Sequence, residues 1–419
     1  MREMKDSGIE WVGKVPATWK IMPNKYIMTK KKVIKEVYDG ENIISLSMNG
    51  VIIRDLEAGG KMPKTFDGYQ IVYPGNLLMC LFDYDVTPRC IGLIKDYGVT
   101  SPAYSQFVMN NGNYSGYYYY YYLMIDNTKA LLHLAKNLRH SLTEEQLGAI
   151  LAPVPTIEEQ QRIVDFLDFK CSKIDATAED IQKEITLLED YKKSLVYNVI
   201  SNGINHSIYS TESDEVWGNL PQGWKLVDIK YLFEIVKRIA GKEGYDVLSV
   251  TQKGLKIKDI TSGDGQLADN YCGYQFVYPT DYVMNHMDLL TGWVDCSELF
   301  GVTSPDYRVF RLIDKSAHNL VYYKYVMQCC YMNKIFYSLG QGVSNLGRWR
   351  LQTSSFNNFK IPVPPKDEQD EIADYLDTKC SEIDSLIADK KRQLDILADY
   401  KKSLIYEYVT GKKEVPVNE

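Results

Sequence analysis

The sequence predicts an α+β fold: two globular mixed α/β domains joined by two long helices that pair as an antiparallel coiled coil, the whole forming a pseudo-twofold internal repeat. Three observations predict it. The hexapeptide DYKKSL occurs at 190–195 and again, letter for letter, at 399–404. Around it, APVPTIEEQQRIVDFLDFKCSKID (152–175) lies against IPVPPKDEQDEIADYLDTKCSEID (361–384) at a constant offset of 209. Upstream, IVYPGNLLM (71–79) faces FVYPTDYVM (276–284) and YGVTSPAY (97–104) faces FGVTSPDY (300–307), at offsets of 205 and 203. Even the start of each half matches, Pro16 and Trp19 answering to Pro221 and Trp224. A period near half the chain is too long for a solenoid unit and fits a duplicated domain plus helix.

The plan runs as a first domain (1–156), a long helix (157–203), a second domain (204–365), a second long helix (366–412) and a short tail (413–419). Each domain is rich in β-branched and aromatic runs broken by Gly, Pro and Asn-Gly, which reads as short strands with turns. In the first these are NIISLSMNGVII (42–53), GYQIVYPGNLLMCLF (68–82) and RCIGLI (89–94); in the second, YDVLSVTQKGLKI and GYQFVYPTDYVMN hold the same places. The run Tyr117 to Tyr122 could form a platform for stacking bases. Its counterpart VYYKYVM (321–327) leads, like it, into helical periodicity, so core packing is the expected role.

Prolines then stop each domain, and Thr156 with Glu159 fits a capping box at the start of the first long helix. From 157 to 200 the helix runs 44 residues, about 65 Å at 1.5 Å per residue. Ile174, Ala178, Ile181, Ile185, Leu188, Leu195 and Val199 follow a 4-3 spacing interrupted at Lys192; Ile383, Ile387, Leu394, Leu397, Leu404 and Tyr408 mark the second copy, interrupted at Lys390 and Lys401. A heptad-type stripe needs a partner helix, and the other copy is the obvious one. The lysine pair of DYKKSL is then expected on a solvent-facing or partner-facing side.

The chain has 419 residues, 45% of them apolar, enough for two or three real cores. It has no run of eighteen apolar residues, and MREMKDSGIEW lacks the apolar middle of a signal peptide, so a cytoplasmic protein with no membrane partner is expected. Eight cysteines without a CxxC pair and only five histidines point to buried reduced thiols and no metal site. The net charge of −7 is unevenly spread: 157–200 carries −4 and 366–409 carries −5, leaving +2 for the rest. Acidic helices avoid phosphates and suit protein partners, while the remaining surface can focus Lys and Arg locally.

Two variable domains, each ending in a PVP…EQ…I…LD…K…ID segment and a helix closing on YKKSL, resemble the specificity subunit of type I restriction-modification enzymes. Pro155, Glu159, Gln160, Ile163, Leu167 and Asp168 carry the resemblance in the first copy; Pro364, Glu368, Gln369, Ile372, Leu376 and Asp377 carry it in the second. The resemblance implies that each domain is a target-recognition domain reading one half of a bipartite, asymmetric site in double-stranded DNA. It implies that the paired helices fix the spacer and, with Glu159, Gln160, Glu368 and Gln369 at the helix starts, dock two modification (methyltransferase) subunits, with restriction (motor/nuclease) subunits completing the complex. No cofactor is expected on this chain; the complex would use S-adenosylmethionine, with ATP and magnesium for restriction.

For DNA contact, the polar stretch QGVSNLGRWR (341–350) offers Gln341, Ser344, Asn345, Arg348 and Arg350 to base edges or phosphates, with Gly342 and Gly347 allowing close approach. Trp349 reads either as a wedge or as core. The counterpart KNLRHSL (136–142) keeps Arg139 and lacks the glycines. Further candidates are Lys253, Lys256 and Lys258 in TQKGLKIK, and Asn49, Arg54, Lys61 and Lys64 in the first domain. The rival readings are a stand-alone DNA methyltransferase or nuclease and a protein-only coiled-coil scaffold. No NPPY-type tetrapeptide, no GxxxxGK[ST] loop and no carboxylate-lysine cluster supports the first, so no catalytic residue is expected. GDGQLA (263–268) satisfies GxGxxA but leads into DNYCGY, which is no helix. Duplication alone would permit the second.

Overall fold

The computed structural model describes residues 2–57, 63–135, 140–205, 208–260, 268–342 and 349–416, with the side chains of 211 and 212 left aside. GDGQLA lies outside them except for its last residue. The chain forms two compact units, Met1–Ile181 with Arg392–Glu419 and Gln182–Lys391. Each long helix therefore serves both, the first passing between units after Ile181 and the second after Lys391.

In the first unit, β1 (Met28–Lys31), a hairpin of β2 (Ile44–Ser47) and β3 (Gly50–Ile53), β4 (Leu77–Met79), β5 (Ile91–Leu93) and β6 (Ser105–Met109) lead into α1 (Ser115–Thr128). The four-stranded sheet has the order β1-β6-β4-β5, all antiparallel, and Phe107 in β6 lies between Lys30 and Leu77. Gln70–Val72 pairs with Gly98–Thr100 beside it. The hairpin turn is set by its sequence: Gly50 takes φ +95°, and Ser47 Oγ accepts from Asn49 N and donates to Gly50 O.

The second unit repeats the plan with β7 (Phe233–Val236), the hairpin β8 (Leu248–Thr251) and β9 (Gly254–Ile257), β10 (Tyr282–Met284), β11 (Val294–Cys296), β12 (Arg308–Leu312) and α3 (Leu320–Met332). Its sheet order is β7-β12-β10-β11, with Phe310 between Ile235 and Tyr282. Thr251 and Gly254 (φ +93°) reproduce the turn contacts of Ser47 and Gly50. Every strand expected from the sequence in the two domains is present.

The tyrosine run is α1. Tyr117, Tyr118 and Tyr121 have no exposed surface, Tyr120 and Tyr122 are buried, and only Tyr119 is half-buried. Their hydroxyls are used inward: Tyr117 donates to Val409 O at 2.7 Å, Tyr121 to Leu151 O at 3.1 Å and Tyr120 to Asp168 Oδ1 at 2.6 Å. Burial on this scale leaves no ring face for a base, so the run is core.

The long helices are α2 (Ile157–Asn202) and α4 (Lys366–Val409), 46 and 44 residues. Within the first unit, Phe166 meets Tyr408 (ring centroids 4.4 Å) and Asp175 accepts from Lys401 Nζ at 2.6 Å. Within the second, Glu184 pairs with Lys390, and Asp384 accepts from Lys192 Nζ at 2.6 Å. In both units residue numbers rise along one helix as they fall along the other, so the pairing is antiparallel. Ile181, Ile383 and Leu404 are buried and Ile174, Leu188, Leu195 and Leu397 half-buried, a stripe covered along its length.

The repeated hexapeptide is explained at the same place. Lys192 reaches Asp384 and Lys401 reaches Asp175, pairs that exchange helices at an offset of 209. Lys193 and Lys402 turn back to Asp190 and Asp399 on their own helices. One lysine of each copy is thus partner-facing and the next lies outward.

The eight cysteines are all free thiols; six are buried, while Cys272 and Cys296 are half-buried, which corrects the expectation that all are interior. Among the described residues no helix is long and apolar enough to cross a membrane.

Candidate nucleic-acid interface

The helix starts form one repeated device. Trp19 Nε1 donates to Glu159 Oε2 at 2.7 Å, and Trp224 Nε1 to Glu368 Oε2 at 2.9 Å. Gln160 Oε1 accepts from Tyr114 N, the cap of α1, at 2.8 Å, while its Nε2 donates to Asn113 Oδ1 and Pro155 O. Gln369 does the same with Asn319 N, the cap of α3, at 2.9 Å and Pro364 O at 2.9 Å. Both glutamines are buried and their amides are spent inside their own units. The capping box at Thr156 forms by half: Thr156 Oγ1 accepts from Glu159 N at 3.3 Å. The half-buried Glu159 carboxylate goes instead to Trp19 and Arg2, where the guanidinium adds a charge-assisted bond that the cap amide does not offer.

The hairpins carry the next candidates. Asn49 stands exposed at the β2–β3 tip and Lys253 at the equivalent β8–β9 tip, with Lys256 exposed along β9. Arg54 and Lys258 are half-buried at equivalent hairpin bases, where Arg54 N donates to Ile43 O and Lys258 N to Val247 O, both at 2.7 Å. Lys64 is exposed. Lys61, Arg139, Ser344, Asn345, Gly347 and Arg348 lie outside the described residues.

The stretch 341–350 is closed at its base by a two-bond backbone bridge between Gln341 and Arg350 at 3.0 and 3.1 Å, with both side chains exposed. Trp349 is half-buried against Tyr337 (4.8 Å), and a Cβ on Gly342 would meet its ring at 2.8 Å. Of its two readings, packing describes these contacts. The base is anchored by Leu351 N to His286 O at 3.0 Å and Leu289 N to Trp349 O at 3.2 Å. The first unit uses the same anchors, Leu142 N to Leu81 O at 2.8 Å and Tyr84 N to His140 O at 3.2 Å.

Sequence reasoning missed two basic residues here. Arg308, 4% exposed in β12, donates through Nη2 to Leu351 O at 3.1 Å and Thr353 Oγ1 at 3.3 Å, and covers the Phe356 ring at 4.6 Å. His286 is buried with Nδ1 unpartnered among the described residues. Burial, with the guanidinia of Arg308 and Arg350 adding to it, pushes its imidazole down to about 3. The signal was present in the repeat, since the first unit holds Ser105 and Leu81 at these places. Because the folded value lies below the usual 6.5, protonation favours unfolding and stability falls as pH drops from about 6.5 toward 3. His286→Leu is expected to flatten the acid side of a melting-temperature profile over that window while leaving the neutral side nearly unchanged.

Residues 221–395 match the family model for the type I restriction modification DNA specificity domain. Those residues thus carry the likeness to a type I specificity domain. The specificity-domain match runs from the strand ending at Pro221 through the whole second sheet and most of α4. Among curated relatives, the chain is similar to the type I restriction enzyme MjaVIII specificity subunit of Methanocaldococcus jannaschii, 25% identical over 287 residues. That alignment takes in 64% of this chain and 63% of the relative, so the chain spans less than two thirds of that specificity subunit's length. A solved chain from a study of complex assembly and conformational transition of the type I R-M system shares the fold, with a TM-score of 0.68 at 14% identity over 96% of this chain and 100% of that one.

Proposed function

We propose that the chain is the DNA sequence-recognition subunit of a type I restriction-modification complex and is itself non-catalytic. Each domain, 1–156 and 204–365, reads one half of a bipartite asymmetric site, and the helices of 157–203 and 366–412 fix the spacer between halves. The observation that carries this is the duplication of every element: two sheets of the same order, each closed by segments of both long helices. A split asymmetric site needs two different readers on a shared support. The acidic helices, −4 and −5, suit two methyltransferase subunits better than phosphates, with restriction subunits joining through the complex. S-adenosylmethionine, ATP and magnesium are assigned to those partners, and the cytoplasm is the compartment. The exposed Asn49, Lys64, Lys253, Lys256, Gln341 and Arg350 are the described side chains best placed to meet DNA, and Lys61, Arg139, Ser344, Asn345 and Arg348 remain proposed contacts on sequence grounds.

The purified chain is expected to shift duplex DNA with an affinity that weakens steeply as salt rises, and to neither methylate nor cleave it when given S-adenosylmethionine and magnesium. A shift indifferent to salt, or any turnover by the chain alone, contradicts the reading.

A further inference from the structure

We propose that Arg350 receives a DNA backbone phosphate, that Arg308 is the positioning residue holding it in place, and that the first unit has no equivalent grip. The inference rests on the DNA-recognition reading and adds an asymmetry between the two units that their shared topology does not suggest.

Arg350 has its backbone fixed on one side by the bridge to Gln341. On the other side, Leu351 is held twice, its N–H by His286 O and its carbonyl by the Arg308 guanidinium. The exposed Arg350 side chain thus projects from a backbone clamped at both neighbours, which lowers the ordering cost of any contact it makes. Neither Arg308 nor Arg350 has a carboxylate within 4.0 Å among the described residues. Arg308 is satisfied by neutral acceptors and an aromatic face, which offset its burial without cancelling its charge. His286 beside them is neutral and contributes no charge of its own. The loop base therefore carries two guanidinium charges without an ion pair among the described residues, one of them exposed. A phosphodiester oxygen pair matches an arginine fork and needs no particular base, so it is the group this locus fits.

Where the second unit has His286, Arg308 and Arg350, the first has Leu81, Ser105 and Ser141 on the same backbone anchors. The difference is one of charge on a common scaffold.

The test measures the salt dependence of binding by the full chain to a mixed-sequence DNA duplex. Arg350→Gln is expected to reduce the slope of log Kd against log salt by about 0.9, and Arg350→Lys to keep it. Ser141→Arg is expected to add a comparable increment from the first unit. Arg308→Met is expected to lower the slope as Arg350→Gln does. If it lowers only the melting temperature, the positioning role is overturned. An unchanged slope in Arg350→Gln, with steep salt dependence in the wild type, overturns the phosphate contact. A wild type that shows no salt-dependent binding at all removes the DNA-recognition reading itself, a result distinct from either.

Discussion

Gln160→Ala is expected to destabilise the first unit by about 2–4 kcal/mol, and Gln369→Ala the second by a similar amount. Each glutamine holds the cap amide of the tyrosine-rich helix with its oxygen and a proline carbonyl with its nitrogen, at distances between 2.8 and 3.1 Å. Truncation leaves a buried donor and a buried acceptor unpaired, and the cost of an unmet group exceeds the net value of the bond it replaces. It also unties the start of α1 from the start of α2, and of α3 from α4. Chemical denaturation of each variant measures the loss. A change below about 0.5 kcal/mol would show that the EQ pair has no such structural role. Glu159→Ala belongs to the same test, because it strands the Trp19 N–H and removes one of the acceptors of Arg2.

On the proposed function, replacing residues 204–365 with the corresponding domain of a type I specificity subunit is expected to change one half of the methylated sequence and leave the other half intact. The segment begins after α2 ends at Asn202 and stops before α4 begins at Lys366. It contains the whole second sheet and its hairpin. The replacement must still pack on Val196, Val199 and Ile200 of α2 and on Ile372, Ala373 and Leu376 of α4, which belong to the second unit's core. Each base pair wrongly read costs about 1–3 kcal/mol, so methylation at the old half-site falls about fivefold to 150-fold per altered position. A change in both halves, or in neither, would contradict independent readers.

Much of this fold was legible in the sequence because duplication makes each half a control for the other. The strands, the tyrosine helix and the 4-3 stripe all appeared twice, and patterns that recur in the same order at offsets of 203 to 209 are unlike chance periodicity. The pairing of the long helices followed from identical stripes needing cover, and its antiparallel sense from the short connections between domain and helix. What the sequence concealed lies where chemistry depends on contacts distant along the chain. Glu159 reads as a local capping residue, yet its carboxylate is committed to Trp19, 140 residues away. Gln160 and Gln369 read as surface groups on polar helices and are interior, because the preceding prolines turn the helix start inward over the tyrosine helix. Arg308 was hidden inside the strand RVFRL, where a basic residue passes for an exposed one. Its burial depends on the carbonyl of Leu351, 43 residues downstream, and on the Phe356 ring. The helical lysines, by contrast, could be placed only to one side or the other until Asp175 and Asp384 were seen opposite them.

The central claim is that two similar units each read a separate block of duplex at a spacing set by the paired helices. Sequencing methylated bases in a host carrying this chain with the proposed methyltransferase partner tests it most directly. The account predicts two short, dissimilar specified blocks separated by a run of unspecified bases of fixed length. A single contiguous recognition sequence, or a perfect palindrome read alike by both units, would contradict it.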